Sequence, residues 1–106
     1  MAFPTGVSVN ECAAHYTPNV GEIRTLGNKD ILKIDFGVHF DGYLIDSAFT
    51  VNFNPVLEPL KKATEEATNA GLKIAGADIL ISEVTAAIEE VLTSFEVVEP
   101  NGNILP

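Results

Sequence analysis

From Ile31 to Phe40, and again from Tyr43 to Val51, apolar side chains fall on alternate positions, the period of a strand with one greasy face. Between the two runs stands Asp41-Gly42, a dipeptide that favours a two-residue hairpin loop. With those two residues in the turn, Phe40 faces Tyr43, Gly37 faces Asp46 and Asp35 faces Ala48. Because side chains alternate across a strand, Lys33, Asp35, Gly37, His39, Leu44, Asp46, Ala48 and Thr50 share one face. Ile34, Phe36, Val38, Phe40, Tyr43, Ile45, Ser47, Phe49 and Val51 share the other. One face is apolar; the other carries both acids.

The rest of the chain supplies partners for this hairpin. Gly6 to Tyr16 reads as a strand, with Val7 and Val9 alternating with Ser8 and Asn10, closed by a Thr17-Pro18-Asn19 turn. A polar loop around Gly27-Asn28-Lys29-Asp30 leads into the hairpin, and Asn54-Pro55 breaks away from it. Pro59 suits the first turn of a helix, where its missing N–H removes no bond. That helix is predicted to reach about Ala75, with Leu60, Ala63, Ala67, Ala70 and Ile74 inward and Gly76 near its end. A second helix is predicted from Ser82 to about Phe95, with Ile81, Val84, Ile88, Val91 and Phe95 on one side. Two apolar stripes need a sheet to cover, which leaves the acidic face turned toward a cleft. The expected class is α+β: an antiparallel sheet covered on one face by two helices. Val97-Val98, a turn and Ile104-Leu105 then read as the start of another hairpin, so the sequence reads as part of something longer.

Composition narrows the functional classes. At 106 residues the chain is at most one domain, and 46% hydrophobic with 20% charged residues describes a globular one. A formal net charge of −9 argues against nucleic acid or an anionic membrane as a partner and permits cation binding. No stretch approaches the ~20 apolar residues of a membrane span, and Met1-Ala2-Phe3-Pro4 lacks the features of a signal peptide. A cytoplasmic setting is expected. The single cysteine, Cys12, reads as a small buried hydrophobe and not as a nucleophile.

Asp35 and Asp46 are the chain's best chemical clue. In this register they are diagonal neighbours, with Cβ atoms within roughly 7–8 Å, and the residue across from Asp46 is a glycine that leaves space. Aspartate is depleted in strand interiors, and two like charges on one face repel unless something positive sits between or beside them. A metal-binding or proton-handling pair is one reading. A merely solvated face, with Lys33 pairing to Asp35, is the other. Asp41 belongs to the turn.

These residues carry a resemblance. Ala2-Phe3-Pro4-Thr5-Gly6, Cys12-Ala13-Ala14-His15-Tyr16-Thr17-Pro18-Asn19, Lys33-Ile34-Asp35-Phe36-Gly37 and Ile45-Asp46-Ser47-Ala48-Phe49-Thr50-Val51 resemble, in order and spacing, the type-2 methionine aminopeptidases, which are pita-bread metallopeptidases. The likeness runs over essentially all 106 residues, as half of a pita-bread catalytic domain. The resemblance implies removal of the initiator methionine from nascent chains, with two divalent ions of the manganese, iron or cobalt type activating a water. It assigns Asp35 and Asp46 as metal ligands, His15 as the catalytic histidine beside the scissile carbonyl, and Phe3 as part of the pocket for the methionine side chain. It gives no metal role to His39, which is expected to be structural or to support the ligands.

The family's histidine ligand and both glutamate ligands match nothing in this sequence. Glu83, Glu89 and Glu90 lie on or beside the outer side of the second helix and are poor substitutes. The isolated chain is therefore expected to be nearly inactive, and the full protein to act on N-terminal methionyl peptides, with the ribosome as a further partner through other segments. The alternatives are a non-catalytic pita-bread binding module acting on ribosomes or other proteins, and a half-domain that self-associates through its open sheet edge.

Overall fold

The computed structural model describes residues 1–105. The chain forms two compact units, one spanning Met1–Pro55 and a second from Val56 onward. The first is a three-stranded antiparallel sheet of β1 (Phe3–Val9), β2 (Ile31–Phe40) and β3 (Tyr43–Asn52), with β2 in the centre. The second holds α1 (Glu58–Ile74), α2 (Ile81–Thr93) and a short antiparallel pair, β4 (Val97–Val98) with β5 (Ile104–Leu105). This is the expected α+β composition of half a pita-bread.

The hairpin forms in the predicted register, from Phe40↔Tyr43 through Gly37↔Asp46 and Asp35↔Ala48 to Ile31↔Asn52. Its loop residues Asp41 and Gly42 both adopt positive φ, at 50° and 83°. That is the backbone a two-residue turn needs if its twist is to match the strands. The face shared by the even positions of β2 holds the sheet's apolar core, where Val9 and Leu32 are register partners exposed by only 8% and 5%. Burying an aliphatic side chain of this size contributes about 1.5–3 kcal/mol. Further along the same face, Phe36 and Phe49 meet edge to face with ring centroids 6.3 Å apart.

The first strand is shorter than the alternation of Gly6 to Tyr16 implies. It ends at Val9, and Asn10 turns the chain at a φ of 53°. Asn10 accepts from the Ile31 N–H through its Oδ1 at 3.0 Å and donates from Nδ2 to Asp30 at 2.9 Å, so its side chain replaces the ladder that the strand abandons. Residues 10–30 are loop and turn, and Cys12 within them is half-buried, not the core residue expected.

α1 starts and stops close to where its punctuation predicts. Pro59 sits in the first turn, and the chain leaves the helix at Ala75 in an extended conformation, one residue before Gly76. The buried stripe is Ala63, Ala67 and Gly71; Leu60 and Ile74, expected inward, are exposed. Small residues win this face because α2 approaches closely. A Cβ at Gly71 would lie 2.8 Å from Ile88 Cδ1 and 2.9 Å from Ile88 Cγ1. α2 correspondingly turns Val84 and Ile88 inward, while Ile81 at its first turn is 81% exposed and Phe95 falls beyond its end.

Gly71 lowers helix propensity by about 1 kcal/mol relative to alanine, so its value lies in this contact. Gly71→Ala should be nearly neutral, the propensity gain offsetting a small shift of the flexible Ile88 tip. Gly71→Leu should destabilise the chain by about 1–3 kcal/mol through overpacking, read as a lowered urea midpoint. Equal midpoints for the two variants would show that α2 does not seat on this stripe.

Candidate metal centre

Hairpin register brings Asp35 and Asp46 together. Asp46 faces Gly37 and Asp35 faces Ala48, which makes the two acids diagonal neighbours on one face. Asp35 is half-buried, and its Oδ1 is buried with no hydrogen-bond partner. Asp46 is exposed, yet its pKa is raised above the ordinary carboxyl value: its carboxyl group is within hydrogen-bonding reach of Asp35, loses some water, and feels the Asp35 charge. Nearby His15 pulls in the opposite direction. The folded chain therefore holds two acids closer than two ionised carboxylates prefer, and favours a proton or cation between them.

β1 builds the other wall. Gly6 stands opposite Asp35 and Phe3 opposite Gly37, with one extra residue bulged out of β1 between them. At Gly6 the lack of a side chain allows close approach, since a Cβ there would lie 3.3 Å from Asp35 Cβ. Gly37 does not leave open space in front of Asp46, as its small size implies. The Phe3 ring lies over it, and a Cβ at Gly37 would overlap three ring carbons. One cross-strand row thus reads Phe3, Gly37, Asp46, placing an apolar ring on the face that carries the acids.

His15 arrives from the loop after β1 and adopts a φ of 68°, a left-handed conformation uncommon for a side chain of this size. The next residues hold it there. The Val7 N–H donates to the Tyr16 carbonyl at 2.7 Å, the Tyr16 N–H donates to Ser8 Oγ at 3.3 Å, and Thr17 Oγ1 donates to the Thr5 carbonyl at 3.0 Å. Farther out, the Tyr16 hydroxyl donates to Glu22 at 2.6 Å, a bond that raises the tyrosine pKa and lowers that of the glutamate. His15 is exposed, close enough to Asp46 for its charge to register there.

Two neighbours of the pair behave differently from the sequence pattern. Lys33, a candidate ion-pair partner for Asp35, instead donates to the Asn10 carbonyl at 2.7 Å. Among the described residues no basic side chain is ion-paired to either aspartate. His39 is exposed across from Leu44, and no third histidine, cysteine or acid among the described residues completes a ligand cluster. Glu83, Glu89 and Glu90 are exposed on α2. The roles of Ser8 and Lys33 were not readable from spacing, because both contacts join the sheet to an irregular loop.

A divalent ion fits what is present. Paired hard oxygen donors without a compensating cation, one of them a buried atom lacking any donor, suit a hard divalent ion. Asp35 and Asp46 are the residues that would hold it.

The profile of Metallopeptidase family M24 matches residues 1–103. Over 106 residues the chain is 56% identical to Methionine aminopeptidase 2 of Neurospora crassa and to that of Sordaria macrospora, covering 100% of this chain and 24% of each relative. Methionine aminopeptidase 2-2 of Leptosphaeria maculans is 54% identical over the same length, with 23% of it covered. The chain thus spans about a quarter of the length of these relatives. With a profile match over nearly its whole length, this chain belongs to metallopeptidase family M24.

Proposed function

We propose that the protein carrying this chain is a methionine aminopeptidase that removes the N-terminal methionine of newly made proteins, and that Asp35 and Asp46 hold its divalent ions. The carrying observation is the unneutralised carboxylate pair, with the buried and unpartnered Oδ1 of Asp35 and the raised pKa of Asp46. The similarity to methionine aminopeptidase 2 proteins supports this substrate class. When bound, divalent ions of the manganese, iron or cobalt type supply Lewis acidity and lower the pKa of water.

The chain's own side chains do the remaining work at this face. Asp35 and Asp46 fix the cation position from a rigid hairpin. His15, exposed on its tethered loop near Asp46, can donate a hydrogen bond to a peptide carbonyl as negative charge develops there. Phe3, packed flat on Gly37 in the same cross-strand row, offers apolar surface beside the acids for a methionine side chain. Two carboxylates alone make a weak, open site, so the 106-residue chain by itself has little activity.

Four outcomes test this. In chelator at neutral pH, Asp46→Asn should melt higher than the parent chain, because it removes the like-charge repulsion. The sign follows from the raised pKa: ionisation of Asp46 is penalised in the folded state, so stability present below the unfolded pKa is lost as pH rises through the raised value. Added manganese should raise the melting temperature of the parent and leave that of Asp46→Asn unmoved; equal manganese responses would remove Asp46 from the site. In the full-length protein, His15→Ala should lower kcat for methionine release from a Met-Ala-Ser peptide by roughly 10²–10³-fold. The 106-residue chain, assayed with manganese or cobalt, should release a negligible fraction of what the full-length protein does, and comparable turnover would defeat the two-donor argument.

A further inference from the structure

The bonds at the two ends of the His15 loop converge on one cross-strand pair. Ser8 on β1 is the register partner of Lys33 on β2. Ser8 is 1% exposed, the one buried polar side chain among the described residues. Its Oγ accepts from the Tyr16 N–H at 3.3 Å, holding the far end of the loop, while Lys33 Nζ donates to the Asn10 carbonyl at 2.7 Å, holding the near end. His15 lies between these two ties with its left-handed backbone.

We propose that Ser8 and Lys33 are positioning residues, a clamp that fixes the loop from Asn10 to Tyr16 so that His15 stands beside the aspartate pair. The inference rests on the role given to His15 above. Each tie has a different physical character. Ser8 is rigid: it sits within a strand, and the adjacent Val7 N–H to Tyr16 carbonyl bond limits where the Tyr16 N–H can go. Lys33 is long and charged, and its bond to a carbonyl is charge-assisted, hence stronger than a neutral one. Engagement with Asn10 also explains how a lysine two residues from Asp35 leaves the acids without an ion pair. The lysine serves the loop, and the acids keep their charge for a cation.

The test uses the full-length protein with Ser8→Ala, Lys33→Met, His15→Ala and the double variant Ser8→Ala/His15→Ala. Hydrogen exchange read by mass spectrometry on a peptide spanning residues 10–17 should quicken roughly tenfold or more in Ser8→Ala, while peptides from β2 and β3 keep parental rates. Turnover of a Met-Ala-Ser peptide should fall roughly 10–100-fold in kcat with little change in KM, the pattern of a misplaced catalytic group. Ser8→Ala should add little further loss when His15 is already alanine. If Ser8→Ala does not fold, Lys33→Met, which keeps the apolar stem, carries the same comparison. Unchanged loop exchange in the folded variants would overturn the clamp, as would an identical loss of kcat with and without His15. A His15→Ala protein with parental turnover would instead overturn the role given to His15, and loop exchange would then decide the clamp by itself.

Discussion

Everything at the site follows from one electrostatic conflict held in place by one turn. Asp41-Gly42 sets the hairpin register, and the register puts Asp46 diagonal to Asp35. A slip of a single residue would send one of the acids to the apolar face. The turn therefore does more than reverse the chain: it forces two carboxyl groups into a proximity that their charges oppose. Aspartate in the interior of adjacent strands lowers sheet propensity as well. Both features cost the sheet stability, so neither is explained by the fold alone.

Gly37 shows how narrowly the face is built. It lies in the central strand between Phe3 on one side and Asp46 on the other. Any side chain there would collide with the Phe3 ring. The residue bulged out of β1 between Phe3 and Gly6 is what resets the strand so that Phe3 faces Gly37 and Gly6 faces Asp35. Bulges of this kind re-aim side chains near functional sites. An apolar ring and a pair of hard oxygen donors thus share one face.

The hairpin was legible because all its determinants are local: strict alternation, a two-residue turn and flanking breakers. The helices were legible in extent from Pro59 and the apolar period, but less so in facing. Leu60 and Ile74 have the hydrophobicity of core residues, whereas the helix contact selects for smallness at Ala63, Ala67 and Gly71. Hydropathy cannot report a need for close approach. The loop after β1 was read as a continued strand because nothing in Glu11-Cys12-Ala13-Ala14-His15-Tyr16 announces that Asn10 will turn left-handed and cap the sheet with its side chain. Lys33 stands two residues from Asp35 in sequence, yet its partner is a carbonyl of that loop, so the alternative of a Lys33–Asp35 ion pair is not what forms.

Magnitudes explain why the His15 loop requires several ties. A non-glycine residue held in the left-handed region costs about 1–3 kcal/mol. Each hydrogen bond returns only about 0.5–1.5 kcal/mol net, and those from Val7 to the Tyr16 carbonyl, from the Tyr16 N–H to Ser8 and from Thr17 to Thr5 together roughly match the cost. The loop depends on these separate ties, in contrast to the hairpin, where ladder bonds and aromatic packing reinforce one another. The acids stand on paired strands whose register fixes their spacing, whereas the histidine stands on a loop whose position rests on a few separate hydrogen bonds.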